Sequence, residues 1–151
     1  MRLYAAFPRD SRSQKIASVL ICQNLSNYFA AFGGESGRHH VEAILGNTGI
    51  KILHSNGHAA TNDWASKMIS DEIQTRYSFH AGDQHRGGSG GAEAIGHKVL
   101  PAEFTMLKKG GPQNGFITEA IVYQTGAQFA ANGGEPYLRT AFRQIVPGVT
   151  A

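Results

Sequence analysis

The chain has 151 residues, 41% of them hydrophobic and 17% charged, enough for one modest core and too apolar for wholesale disorder. Fourteen basic residues against eleven acidic ones give a formal charge of +3, and the basic side chains are scattered singly except at Lys108-Lys109, which leaves only a weak nucleic-acid footprint. A single cysteine, Cys22, excludes an intrachain disulfide; with no signal-peptide core and no run of about eighteen apolar residues, a reducing cytoplasmic setting is expected.

The near-continuous apolar run Ile16-Ala-Ser-Val-Leu-Ile-Cys22 predicts a central strand of a parallel sheet, covered on both faces, with Cys22 as a small buried hydrophobe. Leu25, Tyr28, Phe29 and Phe32 then recur at spacings of three and four, a helix that Gly33-Gly34 stops. His40 to Gly46 reads as a second helix with Val41, Ile44 and Leu45 inward, followed by a strand over Ile50 to His54. Thr61 or Asn62 is placed to cap a third helix, with Asp63 complementing its N-terminal dipole and Trp64, Ala65, Met68 and Ile69 forming its apolar stripe. Helices alternating with strands predict an α/β fold with a largely parallel sheet.

From about residue 75 the texture changes, and Gly82 to Gly96, rich in Gly and His, predicts a surface loop. Pro101 suits the first turn of a short helix with Phe104 and Leu107 on one face, stopped by Gly110-Gly111-Pro112. Phe116 to Tyr123 and Tyr137 to Arg143 read as strands around Gly133-Gly134, a hairpin-like addition to the sheet.

The string Arg12-Ser-Gln-Lys-Ile-Ala-Ser-Val-Leu-Ile-Cys-Gln23-Asn-Leu-Ser26, with Val41-Glu-Ala-Ile-Leu-Gly-Asn47, Ile50-Lys-Ile52 and Thr61-Asn-Asp-Trp-Ala-Ser-Lys67 in that order, resembles the TraD/TraG group of conjugative coupling proteins. Leu100-Pro-Ala-Glu-Phe104 and Glu119-Ala-Ile-Val-Tyr123 extend the resemblance towards the end of the chain. It implies the C-terminal half of a RecA-like P-loop NTPase sheet with helices on both faces, plus C-terminal strand additions. Residues 1–75 would be the RecA-like part, 76–98 a Gly/His-rich loop, and 99–151 a partner-recognition region.

A polar amide at the C-terminal end of a parallel strand lies on the side where α/β sheets bind ligands. The resemblance implies that Gln23 is such an amide, sensing a γ-phosphate or orienting the attacking water. It likewise implies that Arg12 meets phosphate across a subunit boundary, a role for which Arg9, Lys15 and Arg38 compete. No Gly-x-x-x-x-Gly-Lys-Ser/Thr loop occurs, nor an apolar strand ending in Asp-Glu, and Asp71-Glu72 reads as a solvated helix flank. ATP and Mg²⁺ are therefore expected only in a complete parent protein, with no hydrolysis by this chain alone. The resemblance further implies a hexamer of full-length copies, single-stranded DNA, a relaxosome accessory protein and the type IV secretion channel as partners. The inner membrane would be reached through a transmembrane segment outside this sequence.

Three other readings compete. A stand-alone partner-binding module would use Lys108, Lys109, Gln113, Asn114 and Arg139, although lysines at a helix end also complement its dipole. A single-stranded DNA contact would use Asn24 to Tyr28 or the His-rich loop. A metal hydrolase would draw on His80, Asp83 and His85 with His39-His40 or His97, but no His-Glu-x-x-His spacing exists and a Gly-rich loop fixes coordination poorly, so no metal is expected.

Overall fold

The computed structural model describes residues 19–33, 37–79 and 89–145. The chain divides into two compact units, residues 1–48 and 49–151.

In the first unit, helix α1 spans Leu25–Ala31 and helix α2 spans Arg38–Asn47. Asn24 caps α1, its Oδ1 accepting the Asn27 N–H at 3.0 Å, and Leu25 and Tyr28 are buried at the predicted spacing. Val41 is fully buried, Ile44 and Leu45 are half-buried, and an exposed Arg38–Glu42 pair at 2.9 Å supports the helix on the flank of this stripe. The expected central strand is not found among the described residues: 19–22 have no regular structure, with Val19 83% and Ile21 91% exposed, and the rest of the run, 16–18, lies outside them. An apolar run states that burial is needed but not what buries it, and among the described residues no strand pairs with this one. Cys22 is accordingly exposed, not buried.

In the second unit the order is β1 (Ile50–His54), α3 (Ala59–Ile69), β2 (Asp71–Phe79), β3 (Ser89–His97), α4 (Pro101–Met106), β4 (Ile117–Gln124) and β5 (Tyr137–Arg143). The chain thus mixes helices and strands as expected, but every named strand pair is antiparallel. β1, β4 and β5 form a three-stranded sheet in that order, and β2 and β3 form a separate ribbon. Helix–strand alternation implies parallel crossovers only if every strand joins one sheet. Here β2 and β3 pair with each other, so β1 meets β4 antiparallel and β5 follows by a hairpin. The parallel order of a RecA-like sheet is not seen among the described residues.

One face of the three-stranded sheet carries Leu53, Ile121, Tyr123 and Tyr137 against Ala65 and Ile69 of α3, with Val99, Phe104 and Leu107 closing the core. At the edge of this face Lys51 lies with its Nζ 5.8 Å from the Tyr123 ring centroid, and burial lowers its pKa from the usual lysine range. The other face leaves Ile50 and Ile52 open, while His54 and Phe142, 6.0 Å apart, flank the fully buried Ala120.

Helix α3 starts earlier than expected. His58 is its N-cap, with Nδ1 accepting the Thr61 N–H at 3.3 Å and lying 2.9 Å from Thr61 Oγ1. Thr61 and Asn62 therefore sit in the first turn; Asn62 is buried and its Nδ2 donates to Asn56 C=O at 2.8 Å. Asp63 is exposed and falls beyond that turn. Ser66, also buried, donates its hydroxyl to Val99 C=O and so ties α3 to the segment leading into α4. Ser70 ends α3 at φ 127°, a region that favours glycine, and its C=O accepts the Lys98 N–H at 3.1 Å where the ribbon begins.

Residues 89–97, read from sequence as part of the Gly/His-rich loop, are strand β3. Gly90, Gly91 and Gly96 have little strand preference of their own, and the pairing with β2, rich in good strand formers, imposes the conformation.

Candidate partner-recognition surface

The β2–β3 ribbon is two-stranded, so one side of each strand remains without a strand neighbour among the described residues. Its register sets Asp71 opposite His97, Ile73 opposite Ile95 and Thr75 opposite Glu93. Ile73 and Ile95 are 72% and 77% exposed. Two isoleucines facing each other across a ribbon shield little of each other from water, so this pair offers apolar area that only a further partner removes. On one side lies the Asp71–His97 pair, joined Oδ1 to Nδ1, and on the other the exposed Glu93. The base is held by Lys98, whose ammonium meets Glu135 at 2.6 Å, a contact that raises its pKa. The patch is apolar at its centre, with an Asp–His pair on one side and a carboxylate on the other.

A second polar region lies at the end of the sheet. Helix α4 begins at Pro101, and Glu103 Oε1 accepts the Leu100 N–H at 2.7 Å while Oε2 pairs with Arg139 of β5. Lys108 donates its N–H to Glu119 Oε2 at 2.9 Å, and Lys109 bridges to Thr118. Gln113 is exposed, and Asn114 donates Nδ2 to Gly110 C=O at 3.0 Å. The structure thus gathers Lys108, Lys109, Gln113 and Asn114 into one loop stapled to β4, with Arg139 on the adjoining strand. Of these, Lys108 and Arg139 are already engaged with carboxylates.

The other predicted residues do not converge. Gln23 is exposed and directly precedes the α1 cap, while Arg12 lies outside the described residues. Tyr28, read as part of a single-stranded DNA contact, is buried and shares a hydrogen bond with the Cys22 thiol; burial first, then Cys22, pushes its pKa up to about 12. His39 and His40 are exposed on α2, His97 is bound to Asp71, and His80, Asp83 and His85 lie outside the described residues. Among the described residues no three His, Cys, Asp or Glu side chains converge on one point, and no helix is long and apolar enough to cross a membrane.

Sequence reading missed the Ile73–Ile95 pair, because the flanking glycines hid β3. The available signal was the alternation Ile73, Thr75, Tyr77, Phe79, which reads as a strand in need of a partner.

A family model described as the TraM recognition site of TraD and TraG matches residues 5–104, about two thirds of the chain. No curated protein and no solved structure matches it. The matched span holds α1, α2, β1, α3 and the whole β2–β3 ribbon, with Gln23 and Arg12, and it ends before Lys108, Lys109, Gln113, Asn114 and Arg139. On this match the chain belongs to the TraD/TraG family that carries the TraM recognition site.

Proposed function

We propose that the chain is a partner-recognition module of conjugative DNA transfer and that its partner is TraM, the relaxosome accessory protein. The family match over residues 5–104 carries this reading. Within that span the ribbon supplies a suitable surface, since full burial of one isoleucine contributes about 1.5–3 kcal/mol and both are held open. The exposed carboxylate of Glu93 beside them favours a partner that sets a Lys or Arg at that side of the patch.

Replacing Ile73 and Ile95 by Thr, a polar residue that keeps strand preference, is expected to weaken TraM binding by about tenfold or more in titration calorimetry. The thermal midpoint should barely move, because both side chains face water. Unchanged affinity would move recognition off the ribbon, and failure of the unaltered chain to bind TraM would remove the partner reading itself.

A finer reading is supported by the motif order from Arg12 to Ser26 and from Thr61 to Lys67. In it the chain is the C-terminal part of a coupling ATPase that assembles as a hexamer on the cytoplasmic side of the inner membrane and passes single-stranded DNA to the secretion channel. Gln23 and Arg12 would then serve ATP and Mg²⁺ held by the remainder of the protein. The purified chain is expected to bind TraM without nucleotide and to show no ATP turnover. Turnover abolished by Gln23→Ala alone would overturn this reading.

A further inference from the structure

Strand β5 is an outer strand of its sheet among the described residues. Gln124 N–H donates to Pro136 C=O at 3.0 Å and Gln144 N–H donates to Phe116 C=O at 2.7 Å, so the even-numbered positions of β5 turn their main chain towards β4. Antiparallel ladders alternate in this respect, and the N–H and C=O groups of Arg139, Ala141 and Arg143 therefore point outward. All three residues are exposed, as are Phe142 and Gln144 beside them. Side chains alternate as well. Arg139, Ala141 and Arg143 share the face on which Arg139 meets Glu103, whereas Leu138, Thr140 and Phe142 share the face on which Phe142 meets His54. Two shallow depressions of about 310 Å³ each lie along the strand, one between Leu107 and Arg139 and the other between Ile117 and Arg143.

We propose that β5 is a docking edge for an extended acidic segment, which adds to the sheet as a fourth strand. Main-chain bonds from Arg139, Ala141 and Arg143 supply the pairing. An acidic side chain of the guest reaches Arg143, and a second shares Arg139 with Glu103, about 14 Å away at ~3.4 Å per residue. Apolar side chains at the intervening positions lie beside Leu138 and Phe142. Charge selects this guest over a second copy of the chain: cations on an open edge repel the same edge of another molecule and attract a strand of opposite sign. No carboxylate meets Arg143 among the described residues, and Arg139 shares one with Glu103. The surface lies beyond residues 5–104 and does not depend on the TraM reading.

The test uses a fluorescein-labelled peptide of alternating glutamate and valine, with the lysine-for-glutamate peptide as control, and the full chain. The acidic peptide should bind, and its binding should fall by about tenfold in Arg143→Glu. Ala141→Pro removes one outward N–H and leaves the ladder to β4 intact, and should weaken binding to a similar degree. On the unaltered chain, amide exchange at Arg139, Ala141 and Arg143 should slow when the peptide is present, a readout that needs no variant to fold. Equal binding of the basic peptide, or no protection of those three amides, overturns the proposal. So does competition by an oligonucleotide that Ala141→Pro leaves unchanged, or a dimer in sedimentation that Ala141→Pro dissociates.

Discussion

Phe104→Ala is expected to lower the unfolding free energy of the second unit by about 3–5 kcal/mol. Phe104 is among the largest fully buried side chains and is enclosed by the core residues Ala65, Ile69, Val99, Leu107 and Ile121. Removing the ring costs its transfer free energy and leaves a cavity, because α3 and the sheet are held in place independently, by the Ser66 hydroxyl on Val99 and by the β1–β4–β5 ladder. Its C=O also accepts the Asn56 N–H at 3.2 Å, so loosening α4 disturbs the turn that starts α3. Against a typical total of about 5–15 kcal/mol this is a large fraction. Urea unfolding followed by tryptophan emission measures it, since Trp64 packs against this core. Phe104→Leu should recover more than half of the loss; a cost below about 1 kcal/mol for Phe104→Ala would show that the ring is not the centre of the core.

Gly110→Ala is expected to cost about 2–4 kcal/mol, from two sources that add. Gly110 sits at φ 83°, where a side chain is strained, and an added Cβ would lie 2.5 Å from Gln144 Oε1 and 2.6 Å from Thr118 Oγ1. The end of Gln144 can swing aside, but its Oε1 accepts the Gly111 N–H at 2.8 Å, so moving it leaves that donor unpaired. The loop from Lys108 to Phe116 would then lose one of its fastenings to the end of β5. Gly115→Ala is the control: its φ is 60° and nothing lies within 4 Å of the added carbon, so only the conformational cost of about 1–2 kcal/mol applies. Thermal unfolding of the two variants should separate them, and equal midpoints would refute the packing part of the argument.

The helices were legible because each carries its own periodic signal. Leu25 with Tyr28, Val41 with Ile44, and Ala65 with Ile69 recur at helical spacing and prove to be the inward positions. Strands β1, β4 and β5 were legible from their composition, and Pro101 with the later glycines marked the ends of α4 and its loop. The His58 cap was not, since histidine is a rare cap and only the position of its ring against Thr61 reveals it. The candidate surfaces were partly legible: Lys108, Lys109 and Arg139 were named from sequence, and the Ile73–Ile95 pair was not.

By itself the amino-acid sequence determined the helix and strand segments around which the second unit is built, the stripe that lines its core, and the motif order that points to the TraD/TraG family. These are local matters, written in spacing and residue type. Tertiary structure alone decided which strand meets which. Whether strands run parallel or antiparallel depends on the route of the chain between them, and an apolar run such as residues 16–22 carries no record of its neighbours. Likewise, only the register across β2 and β3 made an exposed pair of Ile73 and Ile95, and only the ladder between β4 and β5 turned the main chain of Arg139, Ala141 and Arg143 outward. Exposure is a property of what packs nearby, and that is settled by contacts far apart in sequence.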